Sequence, residues 1–111
     1  MGRSHLDTEA LDTLKEVMED EFQLLIDTFI QDSSERLVNL QGALQRDDAE
    51  EVRRLAHSFK GSSGNIGAPH LSELCAQVEA SGREAQLAGV ASTLAAIETE
   101  FAAVKEELAQ L

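Results

Sequence analysis

The chain of 111 residues has no tryptophan, no tyrosine and only four phenylalanines, although 42% of it is hydrophobic. Any core must therefore be aliphatic, which suits packed helices better than a β-sandwich. A single proline, Pro69, leaves long helices permitted almost everywhere. A single cysteine, Cys75, excludes an internal disulfide and fits a reducing compartment. No apolar run approaches the length needed to span a bilayer, and no signal-peptide pattern opens the chain. Gly2 lacks the Ser or Thr four positions on that myristoylation needs, because that position is Leu6. Basic residues are also scarce, nine against 21 acidic, for a net charge of −12. Such a surface repels polyanions, so nucleic acid and anionic membrane are poor partners. These absences leave one soluble, cytoplasmic, all-helical domain over residues 1–111 as the expectation, with residues 1–5 as its leader.

What is present is helical periodicity. Asp7 reads as an N-cap, with Leu6 and Leu11 placed for a hydrophobic staple, and a short helix runs to about Val17. From Glu21, the positions Phe22, Leu25, Ile26, Phe29, Ile30, Leu37, Leu40 and Leu44 trace one face, with Ser33 as its small residue. That helix reaches Arg46 and is about 40 Å long. Asp48 caps the next helix, with Glu51 completing a capping box, and Val52, Leu55, Phe59, Ser62 and Ile66 point inward. Gly67 ends it, and Pro69 starts another at its first helical position. Leu71, Leu74, Cys75 and Val78 line this fourth helix, which the sequence predicts to break at Ser81-Gly82. Leu87, Val90, Leu94, Ile97, Phe101, Val104, Leu108 and Leu111 form the seam of the last. The fold predicted is an all-α antiparallel four-helix bundle with a short additional N-terminal helix. That extra helix favours a complete unit, and a monomer is expected.

One helix breaks the rules for stability. It carries Gly61 and Gly64 in its interior, each costing about 1 kcal/mol relative to alanine. At about 100° per residue with His57 as zero, the inward residues fall between about 140° and 220°. His57 is therefore on the solvent face. Within about 60° of it lie Glu50, Arg53, Arg54, Lys60, Gly61 and Gly64. Helical side chains lean toward the N-terminus, so residues three and four positions on lean over the ring. Lys60 is a cation able to reach something attached to the imidazole, whereas Gly61 leaves it uncovered. Gly64 clears the next turn, and Arg53 and Arg54 add positive charge. An uncovered imidazole among cations is what a site that gains or passes an anion requires, and its neutral form is a nucleophile toward phosphoryl groups. A plain surface histidine is the competing interpretation, and these residues alone do not identify the reaction.

Other constellations carry less. The glycines of residues 61–67 run G-x-x-G-x-x-G with no preceding strand, which is neither a dinucleotide fingerprint nor a P-loop, so no ATP-dependent kinase activity is expected. His5, His57 and His70 share no metal-ligand spacing, Cys75 has no cysteine partner, and no Glu-x-x-His pair exists for a di-iron site.

His57-Ser58-Phe59-Lys60-Gly61-Ser62-Ser63, followed by Ile66-Gly67-Ala68, Leu71, Cys75, Val78 and Glu79, resembles the signature of histidine-containing phosphotransfer (HPt) domains. The resemblance implies a phosphorelay intermediate. His57 would take a phosphoryl group from the aspartate of one response-regulator receiver domain and pass it to another, and a hybrid sensor kinase could supply one of them. Lys60 would steady the phosphoryl group and Gly61 would make room for the receiver. Docking would use an apolar patch to which Leu11, Leu14, Phe22 and Leu25 contribute. No cofactor is expected, since magnesium in such transfers belongs to the receiver. The alternative from another class is a non-catalytic acidic adaptor that binds a protein partner without chemistry.

Overall fold

Capping and turn residues divide the chain into helices largely where the sequence places them. The computed structural model describes residues 5–111; the reading of Gly2, and all of the expected leader except His5, lie outside the described residues. In order the helices are α1 (Thr8–Met18), α2 (Glu21–Gln45), α3 (Ala49–Asn65), α4 (Pro69–Arg83) and α5 (Val90–Ala109), and no strand occurs among the described residues. Helices α2 to α5 form the bundle, within an envelope of 42 × 30 × 18 Å.

The Asp7 carboxylate accepts from the Ala10 amide, as an N-cap should. Asp48 likewise accepts from the Glu51 amide. The capping box is only half made, however, because the Glu51 carboxylate turns instead to Arg54. At the α3–α4 turn Gly67 has a φ of +80°, which favours glycine. The amides of Gly67 and Ala68 return to the carbonyls of Gly64 and Ser63, satisfying the helix end. Pro69 then opens α4 at once. The Gly67 carbonyl also accepts from the Asp7 amide at 2.7 Å, which anchors the start of α1 to this turn.

Leu6 and Leu11 are buried together with the bundle core, as the staple predicts. Three of the phenylalanines meet at its centre: Phe29 and Phe59 each present an edge-to-face contact to Phe101, with centroids 6.0 and 6.1 Å apart. Ser33 is fully buried on α2, the small residue that the helical face requires. His5 lies against α5: its amide donates to Glu107 and its Nδ1 lies 2.8 Å from Glu100 Oε2.

Four expectations need correction. The buried stripe of α3 includes Ala56 and Ser63, while Ser62 is half-exposed. The stripe is broadened and rotated because α3 packs on both α2 and α4, most extensively on α4. Second, α4 does not break at Ser81-Gly82 but continues to Arg83. Gly82 is buried, and a Cβ there would stand 2.7 Å from the Arg53 backbone nitrogen and 2.9 Å from the Ala49 carbonyl oxygen. This glycine serves close approach of α4 to α3, not helix termination. Third, α5 starts only at Val90, leaving Leu87 half-buried in the preceding connection and Leu111 exposed beyond the helix. Finally, α2 ends at Gln45 with Arg46 as its cap.

Candidate functional site

His57 stands in the middle of α3, and its side chain is 64% exposed. This is the orientation that its angular distance from the apolar stripe predicts. Gly61, one turn later, leaves open space: a Cβ added there would meet nothing within 4 Å. Packing does not demand that glycine. At Gly64 a Cβ would make only an ordinary contact, 3.8 Å from Ser72 Oγ on α4.

The floor of the site comes from α4. The Glu79 side chain is only 5% exposed, and its Oε2 lies 2.8 Å from His57 Nδ1. Its other oxygen, Oε1, is 2.7 Å from Lys60 Nζ. Arg83, one turn on along α4, places Nη2 3.1 Å from Oε2. Lys60 hydrogen-bonded to it holds the Glu79 carboxyl below its ordinary value of 4.5; burial opposes this and the hydrogen bond from His57 assists. An ionised carboxylate can only accept, so the shared proton resides on His57 Nδ1. The neutral ring then carries its lone pair on Nε2, which is left to the solvent side. A buried acid thereby selects the tautomer of an exposed imidazole.

This carboxylate also sets an acid limit on stability. Its folded value is depressed, so the stabilisation from its ion pairs is complete above pH 4.5 and fades as pH falls toward the folded value. Denaturant unfolding of Glu79→Gln should accordingly lose less stability than the parent between neutral pH and pH 3. Parallel pH profiles for the two would contradict the assignment.

The structure brings His57, Lys60 and Gly61 onto one face, as the sequence predicts, but redistributes the charge around them. Arg53 and Arg54 do not ring the imidazole as free cations. Each pairs with the acid three residues before it, Glu50 and Glu51 respectively. Of the expected docking residues, Leu11 and Phe22 are core, at 1% and 5% exposure, and present no surface to a partner. Leu14 and Leu25 are half-buried, and Leu25 edges a shallow groove between α2 and α3 with Phe29, Arg36 and Ser62. The large apolar side chains that are exposed include Val17, Leu24 and Val38.

Position in the sequence alone gives Glu79 no role. One signal was available: it lies four residues after Cys75 and eight after Leu71, an acid on the inward stripe of α4. Arg83 follows at the next i, i+4 position.

Elsewhere the described residues offer little chemistry. Burial pushes the Cys75 thiol up to about 12, so it is an inert packing group. No three His, Cys, Asp or Glu side chains among the described residues are placed to share a metal ion. No described helix is long and apolar enough to cross a membrane.

Residues 24–111 match the family model of the Hpt domain. Among solved structures, the chain is similar to that of histidine-containing phosphotransfer protein B from Pseudomonas aeruginosa PAO1, with 45% identity and a TM-score of 0.94. The match covers 98% of this chain and 95% of that one. No curated protein matches the sequence.

Proposed function

Because this chain belongs to the Hpt domain family, we propose that His57 is the residue that carries the phosphoryl group in a phosphorelay, accepting it from one receiver-domain aspartate and delivering it to another. The observation that carries this reading is the His57–Glu79–Lys60 arrangement: an exposed ring whose Nδ1 is held from below and whose Nε2 is bare. In the forward step the Nε2 lone pair attacks phosphorus of the receiver's aspartyl phosphate. The P–N bond forms as the P–O bond to the aspartyl carboxylate breaks, and that carboxylate leaves with the electron pair. The ring becomes an N-phosphorylated imidazolium that keeps its Nδ1 proton, and the adjacent Glu79 carboxylate offsets the positive charge. The reverse step returns the group to a second aspartate. No proton has to be lost or gained, which suits a carrier working in both directions.

Lys60 is the cation nearest the incoming group and can turn to its oxygens. The acidity of the chain, −12 overall, makes local positive charge necessary if an anionic phosphoryl group is to approach. Magnesium in this reading stays with the receiver. Receivers dock across the His57 face, and what remains of the expected apolar patch is Leu14 and Leu25. An adaptor without chemistry has no observation in its favour, since it has no use for a buried acid aligning an exposed histidine.

The experiment is incubation of the chain with phosphorylated receiver domains, followed by analysis of the phosphate it acquires. Acid-labile, alkali-stable phosphate is the expected product, and its absence with every receiver of the host would overturn the proposal. Gly61 gives a second test. Gly61→Glu should fold, because its Cβ meets nothing, yet slow transfer by about 100-fold through obstruction and repulsion at the reacting centre. Gly61→Ala should raise stability by about 1 kcal/mol. Undiminished transfer in the glutamate variant would remove the access argument for this glycine.

A further inference from the structure

Besides His57 and Lys60, a third donor reaches Glu79. Arg83 Nη2 lies 3.1 Å from Oε2, the oxygen that also takes His57 Nδ1, while Lys60 holds Oε1 alone. Lys60 therefore has two claims on it. Before transfer its ammonium neutralises Glu79 at 2.7 Å; after transfer the phosphoryl oxygens on Nε2, at the opposite side of the ring from Nδ1, compete for the same charge. If Lys60 leaves, a carboxylate only 5% exposed loses its shortest ion pair. Paired then, without Arg83, with the imidazolium alone, the buried carboxylate is under-compensated, and it would relieve this by drawing the proton from Nδ1 or from solvent. Either outcome spoils the neutral-ring tautomer or the charge balance of the phosphorylated ring.

We propose that Arg83 is a positioning residue that keeps Glu79 ionised while Lys60 is engaged by the phosphoryl group, and so keeps the Nδ1 proton of His57 in place throughout the transfer. This rests on His57 being the phosphorylated residue. The guanidinium suits the task because it stays charged at any relevant pH and carries several N–H donors, enough to take Oε1 as well as Oε2. Its side chain is 63% exposed, so the movement displaces no packed group. The i, i+4 spacing on α4 keeps it over Glu79 whatever happens on α3. Arg53, the other cation close enough to feel the Glu79 charge, is committed to Glu50 on its own helix.

The test is a double-mutant cycle on the full chain. Transfer rates from a phosphorylated receiver are measured for the parent, Arg83→Ala, Arg83→Lys, Glu79→Gln and the Glu79→Gln/Arg83→Ala double variant, with thermal unfolding of each. Arg83→Ala is expected to slow transfer about tenfold while remaining folded, and Arg83→Lys to recover most of the loss. In the Glu79→Gln background, Arg83→Ala should cost nothing further, because a neutral amide needs no counter-ion. Parent-like transfer in Arg83→Ala overturns the proposal. So does an equal loss in both backgrounds, which would place Arg83 directly on the receiver. A parent chain that takes no phosphate overturns the phosphotransfer reading itself, and the role of Arg83 with it.

Discussion

Replacing His57 with glutamine should reduce phosphate uptake from a phosphorylated receiver by more than about a thousandfold, the scale on which a lost nucleophile is felt. Glutamine suits the test because it removes the ring nucleophile while its side-chain amide can still donate toward Glu79. The buried carboxylate also keeps Lys60 and Arg83 as partners in the variant. With the ring 64% exposed, no core packing is lost. Thermal unfolding should therefore shift little, by about 0.5 kcal/mol or less in stability terms. Phosphate uptake equal to the parent's would show that another group carries the phosphoryl. His70, with its side chain 57% exposed at the start of α4, would then be the next histidine to substitute.

The second large effect concerns stability. Gly82→Ala places a methyl group 2.7 Å from the Arg53 nitrogen, 2.9 Å from the Ala49 carbonyl oxygen and 2.9 Å from the Arg53 Cα. All three are backbone atoms of α3, so no side chain can rotate away. The helices must separate, and the expected cost is about 3 kcal/mol, at the upper end for overpacking. For a chain of this size that lowers the melting temperature by roughly 15 °C, readable by circular dichroism. Separation of α4 from α3 also draws Glu79 away from His57, one turn before Gly82, so transfer in the folded fraction should fall as well. A melting temperature within a few degrees of the parent's would show that the close approach is not needed. The opposite response expected of Gly61→Ala makes the pair a sharp comparison: the same substitution on neighbouring helices, destabilising where backbones touch and stabilising where space is empty.

These two glycines show where sequence reasoning succeeds and stops. Both lie inside helices, and both carry the same propensity penalty. Gly61 was legible because the residue it serves lies four positions away on the same helix. Gly82 looks like a helix break in the sequence because what it accommodates, the backbone of Ala49 and Arg53, is some thirty residues earlier in the chain. The docking residues failed for a related reason. Periodicity places Leu11 and Phe22 on apolar faces, but it cannot say whether such a face meets solvent or another helix, and here both are buried. The charge of Arg53 and Arg54 is taken up by acids one turn earlier, a local i, i+3 pairing that the sequence does contain.

The sequence alone determined the helical class, the residues that open α1, α3 and α4, and the exposure of His57 beside Lys60 and Gly61. Each of these depends on angular position along a single helix, or on capping and turn chemistry within a few residues. Only the tertiary structure decided that Glu79 lies beneath the ring, orienting Nδ1 and leaving Nε2 bare, with Arg83 behind it. The reason is distance in the chain. Glu79 reaches His57 across the contact between α3 and α4, and the spacing of that contact is set by side-chain packing and by Gly82, not by anything local to either residue.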